Sequence, residues 1–96
     1  MNPWNERVLK ADPYLGITTR KLVDLISRAY CDTARGQCSF FDHEAACLLG
    51  VNATELRAAK YELMNKHFLK ELPSAGRKPA YTLGFGYTIS DDDEAA

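Results

Sequence analysis

The sequence predicts a mainly helical domain carrying a small antiparallel β-sheet, and three observations predict it. Between Ser39 and Asn65, SFFDHEAACLLGVNATELRAAKYELMN, two apolar-periodic runs flank a break at Gly50-Val51-Asn52. Upstream, Leu22, Leu25, Ile26 and Ala29 recur at helical spacing and supply a further helix to pack on that pair. Downstream, Phe68–Leu72 and Ala80–Leu83 read as two strands around a segment, Pro73 to Pro79, that cannot be strand interior. Two helices joined by a tight glycine turn make a helix-turn-helix, here followed by a hairpin.

Ninety-six residues suffice for one small domain with a modest core. Apolar residues at 46% and charged residues at 26% are ordinary for a globular protein. The formal charge of −1 is unevenly spread: residues 91–94 are all acidic, so the chain without them stands near +3. That is a mild excess for a nucleic-acid binder. No charged head precedes an apolar run at the N-terminus and no stretch reaches membrane-spanning length, so a cytoplasmic protein with no membrane association is expected. Cys47 falls inside a helical pattern and reads as a small core residue. Cys31 and Cys38 flank a loop and can come close in space, although nothing in the sequence argues for a secreted, disulfide-bonded protein.

In chain order, residues 1–17 form an N-terminal arm. Arg7 to Ala11 is long enough for one helical turn, which Pro13 ends at or before Asp12. Trp4, Val8, Tyr14 and Leu15 make the arm too apolar for a free tail. It either packs over the core or crosses to a second subunit as an interface. The main domain occupies 18–89. Thr18 or Thr19 caps a helix running to about Tyr30, with Val23 and Tyr30 at the edges of its buried stripe and an Arg20–Asp24 pair on its wet side. Residues 31–38 read as a loop, and Ser39-Phe40-Phe41 as a very short strand.

The two-helix unit follows. Asp42 is placed to cap the first helix, whose stripe is Ala45, Ala46, Leu48 and Leu49; Gly50 ends it by tolerating a positive φ. Asn52 and Glu55 have the spacing of a capping box for the second helix, along which Leu56, Ala59 or Lys60, and Leu63 face inward. Val51 is the apolar plug between them. After the hairpin, residues 84–89 read as a third strand segment or an arm laid over the domain. Residues 90–96 read as an acidic, disordered tail.

The string E-A-A-C-L-L-G-V-N, followed by E-L-R-A-A-K-Y-E-L, resembles the helix-turn-helix of bacterial winged-helix regulators and replication proteins. Phe68 to Leu72, then Gly76-Arg77-Lys78-Pro79, then Ala80 to Leu83, is similar to their wing. The resemblance runs from Ser39 to Leu83, about half the chain. It departs at His67, where that family often has glycine, so this residue must close the helix in a less comfortable conformation.

The resemblance implies a second helix that enters the major groove of double-stranded DNA and a wing that reaches phosphate or the minor groove. On this chain it points to Thr54, Arg57, Ala58, Lys60, Tyr61 and Asn65, with Arg77 and Lys78 at the hairpin tip. Arg57 has the planar fork that guanine accepts twice, and Lys60 suits a phosphate. Glu55 and Glu62 repel a phosphate backbone unless Glu55 is used as the cap. The expected protein is a sequence-specific regulator or a replication or recombination accessory factor, acting as a homodimer. The alternative is a protein-interaction module of the same fold that engages a larger protein partner.

Nothing points to an enzyme, a cofactor or a metal. His43 and His67 are the only histidines. Paired carboxylates, a phosphate-cradling glycine loop and an HExxH motif are all lacking.

Overall fold

Among the described residues four α-helices, one π-helical segment and four short strands follow one another. The computed structural model describes residues 4–32, 34–73 and 78–84. Helix α1 spans Trp4–Ala11 and α2 spans Ile17–Leu25, running on into a π-helical segment, Ile26–Tyr30. Strands β1 (Cys31–Asp32) and β2 (Gln37–Ser39) form a hairpin. Helices α3 (Asp42–Leu49) and α4 (Ala53–Asn65) come next, and β3 (Leu69–Leu72) and β4 (Ala80–Leu83) complete the sheet. All strands pair antiparallel in the order β1-β2-β4-β3. The fold is therefore mainly helical with a small antiparallel sheet, as the sequence predicts.

The N-terminal segment is more ordered than one turn. Helix α1 begins three residues earlier than expected, because Trp4 and Val8 lie one turn apart on its inner face and both are buried. Trp4 Nε1 donates to the Gly84 carbonyl at 2.8 Å, tying α1 to the end of β4. Leu15 is buried too, so Trp4, Val8 and Leu15 belong to this chain's own core and are not exposed for a second subunit; of the four proposed interface residues only Tyr14 is on the surface. Asp12 links the segment to α4. Its carboxylate accepts from Lys66 Nζ at 2.6 Å and from the Tyr14 backbone N–H at 3.0 Å. The Lys66 hydrogen bond holds the Asp12 pKa below the usual aspartate value.

Helix α2 starts at Ile17 with Gly16 as its N-cap, so neither Thr18 nor Thr19 caps it. Thr19 is instead buried and donates its hydroxyl hydrogen to Glu62 on α4. Asp24 pairs with Arg28 at 2.8 Å rather than with Arg20, whose guanidinium reaches the Pro13 carbonyl. Leu22, Val23, Leu25 and Ile26 are buried and Ala29 is exposed. The π-helical segment explains that last difference. Its wider turn departs from the 3.6-residue period on which the stripe was drawn, so positions beyond Ile26 rotate off the inner face. The same segment delivers Tyr30 to stack on Phe40, with ring centroids 5.5 Å apart, and Phe40 stacks in turn on Tyr81 at 5.0 Å.

Both helices of the central unit end in the same way. Gly50 has φ 71°, its N–H bonds the Cys47 carbonyl, and the Val51 N–H bonds the Ala46 carbonyl. At the end of α4, His67 has φ 66°, its N–H bonds the Met64 carbonyl, and the Phe68 N–H bonds Leu63. These are paired 5→2 and 6→1 hydrogen bonds around a left-handed residue, a Schellman closure of each helix. The sequence anticipated both positions. Gly50→Ala is expected to cost about 1 kcal/mol, since the added Cβ opposes a left-handed φ although it meets no neighbour. A shift of less than about 0.3 kcal/mol in a urea titration would contradict this.

Helix α4 carries the expected capping box, with Asn52 Oδ1 accepting from the Glu55 N–H at 2.7 Å and Glu55 Oε1 from the Asn52 N–H at 3.2 Å. Helix α3 differs from expectation. Asp42 is its first residue and makes no cap; Phe41 is the N-cap. Its buried residues are Ala45 and Ala46, whereas Cys47 and Leu48 are exposed and Leu49 is partly buried. With only eight residues, α3 presents a narrow small-residue face to its neighbours and turns Cys47 and Leu48 outward. The loop expected at 31–38 is largely the β1–β2 hairpin, and β2 begins two residues before the expected strand. The segment 84–89 beyond Gly84, the acidic tail and Arg77 lie outside the described residues. No helix among the described residues is long and apolar enough to cross a membrane.

Candidate functional site

Helix α4 exposes one face along its whole length. Thr54, Arg57, Ala58, Tyr61 and Asn65 are all on the surface, as the three- to four-residue spacing dictates once Leu56, Ala59 and Leu63 turn into the core. Tyr61 is 53% exposed, with the Lys60 Nζ 5.6 Å from its ring centroid. The two glutamates on this helix are engaged in structure. Glu55 closes the capping box, and Glu62 accepts from the Thr19 hydroxyl and from Lys66 Nζ at 3.2 Å. Their charge remains, but each carboxylate is held at an edge by a named donor.

Lys60 is not on that face. It is 8% exposed, and its Nζ donates to both Asp42 oxygens at 2.9 and 3.1 Å and to the Tyr81 hydroxyl at 3.2 Å. The expected phosphate contact is therefore a buried structural lysine. It shares the buried side of α4 with Leu56, Ala59 and Leu63, and its charge is met by a carboxylate from α3 and a phenol from β4. Burial alone would lower the Lys60 pKa; the hydrogen bonds to Asp42 and Tyr81 outweigh it and raise the value above that of an ordinary lysine. A raised lysine pKa contributes stability that is present at neutral pH and lost only as pH climbs through the folded value. Burial likewise raises the Tyr81 pKa, so the phenol keeps its proton at neutral pH.

Asp42 also receives Arg57 Nε at 3.3 Å. The Arg57 side chain is still 55% exposed, so this pair anchors the guanidinium at its inner nitrogen without burying it. One carboxylate at the start of α3 thus organises two cations from α4, one buried and one on the surface. Sequence reasoning did not find this cluster, because Asp42, Lys60 and Tyr81 come from three separate elements.

The hairpin brings a second group of residues to the neighbourhood. Lys78 is exposed, and its Nζ lies 5.5 Å from the Phe41 ring centroid and 5.8 Å from that of Tyr30. Phe41 stacks in turn on His43 in the first turn of α3, at 5.5 Å. A cation on an aromatic ledge beside a helix start is a surface that suits flat or anionic groups. Composition alone did not single out Phe41 or His43. The remaining proposed contact, Arg77, lies outside the described residues.

A shallow depression lies between the start of α2 and α4, lined by Ile17, Thr18, Glu55, Ala58 and Glu62 among others. Ile17 is 75% exposed and Tyr14, three residues before it, is 89% exposed. Among the described residues no three His, Cys, Asp or Glu side chains are grouped to hold a metal ion. No family model matches the chain, and neither a curated protein nor a solved structure matches it.

Proposed function

We propose that the protein is a winged helix-turn-helix that binds double-stranded DNA, with α4 reading the major groove and the β3–β4 hairpin bearing on the backbone. It acts by occupying a site and performs no covalent chemistry. The observation that carries this reading is the Asp42–Lys60–Tyr81 cluster, which ties the first helix of the unit, the second helix and the hairpin together through one buried and two partly buried hydrogen bonds. A groove reader needs its helix and its wing held at a fixed spacing, because a duplex presents base edges and phosphates at fixed spacing. Arg57 is the base reader in this reading. Its Nε holds Asp42, and the two terminal nitrogens are the ones that a guanine edge takes. Thr54, Tyr61, Asn65 and Lys78 then supply backbone and apolar contacts. A homodimer presenting two α4 helices would double the small basic excess.

The test is selection of retained sequences from random duplexes at ~50 and ~200 mM salt. An enriched motif is expected, and Arg57→Ala should weaken binding to it by about 10- to 100-fold while flattening the preference at one base position. Lys78→Ala should weaken all duplexes alike and reduce the salt dependence. Retention without enrichment at either salt would sink the reading.

A second reading is favoured by a specific observation. The exposed α4 face carries a single cation, Arg57, already paired with Asp42, while the exposed Ile17 lines the depression with Glu55 and Glu62, and Tyr14 stands exposed three residues before it in the chain. That combination suits a protein partner. Ile17→Asp would abolish such binding and leave duplex binding unchanged.

A further inference from the structure

Cys31 and Cys38 are directly opposed in the β1–β2 ladder. Opposed residues of an antiparallel pair project their side chains from the same face, with Cα atoms about 4.5 or 5.5 Å apart according to the type of pair. Both separations fall inside the roughly 4.4–6.8 Å that a disulfide spans. The pairing comes from the hairpin itself, since the next ladder pair is Asp32 with Gln37 and the Arg35 N–H closes the turn onto the Asp32 carbonyl. Both thiols are free in this structure. Cys31 is half-buried and Cys38 is fully buried, the latter at the floor of a small depression lined by Tyr30, Asp32, Arg35 and Gln37.

We infer that Cys31 and Cys38 are a redox-active pair, oxidised to a cross-strand disulfide by a low-molecular-weight disulfide such as oxidised glutathione and reopened by thiols. Cys31, the more accessible, reacts first. Its thiolate attacks one sulfur of the small disulfide, whose S–S bond breaks; the released thiolate takes up a proton, leaving a mixed disulfide on Cys31. Cys38 then loses its proton and attacks the Cys31 sulfur, expelling the second small thiolate, which is protonated in turn. The two cysteines are oxidised by two electrons, and the small disulfide is reduced to two thiols. Burial, and then the neighbouring Cys31, push the Cys38 thiol up to about 12 in the reduced protein. Once Cys31 carries the mixed disulfide only the burial remains to oppose ionisation of Cys38, and the slower second attack follows from that burial. The bond would staple the exit of the π-helical segment to β2, whose other edge carries β4. The redox state is thereby coupled to the strand that bears the hairpin.

The full chain is equilibrated in reduced and oxidised glutathione, remaining thiols are alkylated, and the products are resolved by intact mass and peptide mapping. The expected product loses two hydrogens, yields a linked Cys31–Cys38 peptide, reverts with dithiothreitol, and melts higher by on the order of 10 °C. Cys47→Ser should retain it, because Cys47 is exposed on α3 and outside the pair; Cys31→Ser and Cys38→Ser should each abolish it. A mixed disulfide that stays on Cys31 with Cys38 still alkylatable after denaturation overturns the inference. So does a link through Cys47, or an oxidised form that melts no higher than the reduced one. The inference does not depend on DNA binding, and duplex affinity is measured separately on both forms.

Discussion

Trp4→Ala is expected to lower the unfolding free energy by about 3–5 kcal/mol, the largest effect of any single substitution considered. Trp4 buries its ring against the core while its indole N–H satisfies the Gly84 carbonyl at 2.8 Å. Truncation removes the apolar area, leaves a cavity beneath α1 and strips that carbonyl of its donor. Gly84 is itself held close to the end of α4. Its N–H is bonded to the Phe68 carbonyl at 2.8 Å, and a Cβ placed there would collide with the His67 carbonyl oxygen. Trp4→Phe separates the two contributions. It keeps most of the buried ring and loses the hydrogen bond, and should cost about 1–2 kcal/mol. Trp4 is the only tryptophan, so unfolding of the variants is followed by far-ultraviolet circular dichroism in urea. A midpoint unchanged in Trp4→Ala would mean that α1 frays independently of the rest, contrary to the packing described.

Lys60→Met should cost about 2–3 kcal/mol. Breaking a buried ion pair from one side typically costs about 3–5 kcal/mol. Here the cost is discounted because the Asp42 side chain keeps 20% of its exposure and Arg57 remains beside it. Methionine preserves an apolar stem of similar length on the buried side of α4, so the loss reports the ammonium rather than the packing. Asp42→Asn in the Lys60→Met background should restore at least about 1 kcal/mol, because it removes the carboxylate that the first substitution stranded. If the two substitutions simply add, the pair is not coupled. Lys60→Met should also weaken duplex binding although Lys60 touches no ligand in the proposed complex, since the hairpin would lose its tie to α4.

What the sequence revealed about the fold follows a physical division. Signals that act within a few residues were legible. Gly50 and His67 were identified as the helix closures, Asn52 with Glu55 as a capping box, and Ala80 to Leu83 as a strand, because each depends on its immediate neighbours. Signals carried by partners far along the chain were not. Spacing left Ala59 or Lys60 as the inward residue, and a lysine at that position was given to a phosphate; both are buried, and the Lys60 charge is met by Asp42 and Tyr81, 18 and 21 residues away. Ala29, Cys47 and Leu48 were misplaced for a related reason. A uniform helical period overlooks the π-helical segment, and on a helix as short as α3 the neighbours, not the pattern, choose the buried face. The exposed α4 residues Thr54, Arg57, Ala58, Tyr61 and Asn65 were legible as a face, whereas the role of Asp42 in holding Arg57 was not.

The bond from Trp4 to Gly84 joins residues 80 apart in the chain, and this imposes an order on synthesis. Translation proceeds at roughly 5–20 residues per second, so about 4–16 s separate the appearance of the indole from that of its acceptor. Helix α1 can pack on α2 as soon as both are made, but throughout that interval the Trp4 indole N–H lacks the acceptor it has in the folded protein. Slowing or pausing the ribosome before residue 84 would lengthen that wait without altering a single contact of the finished protein.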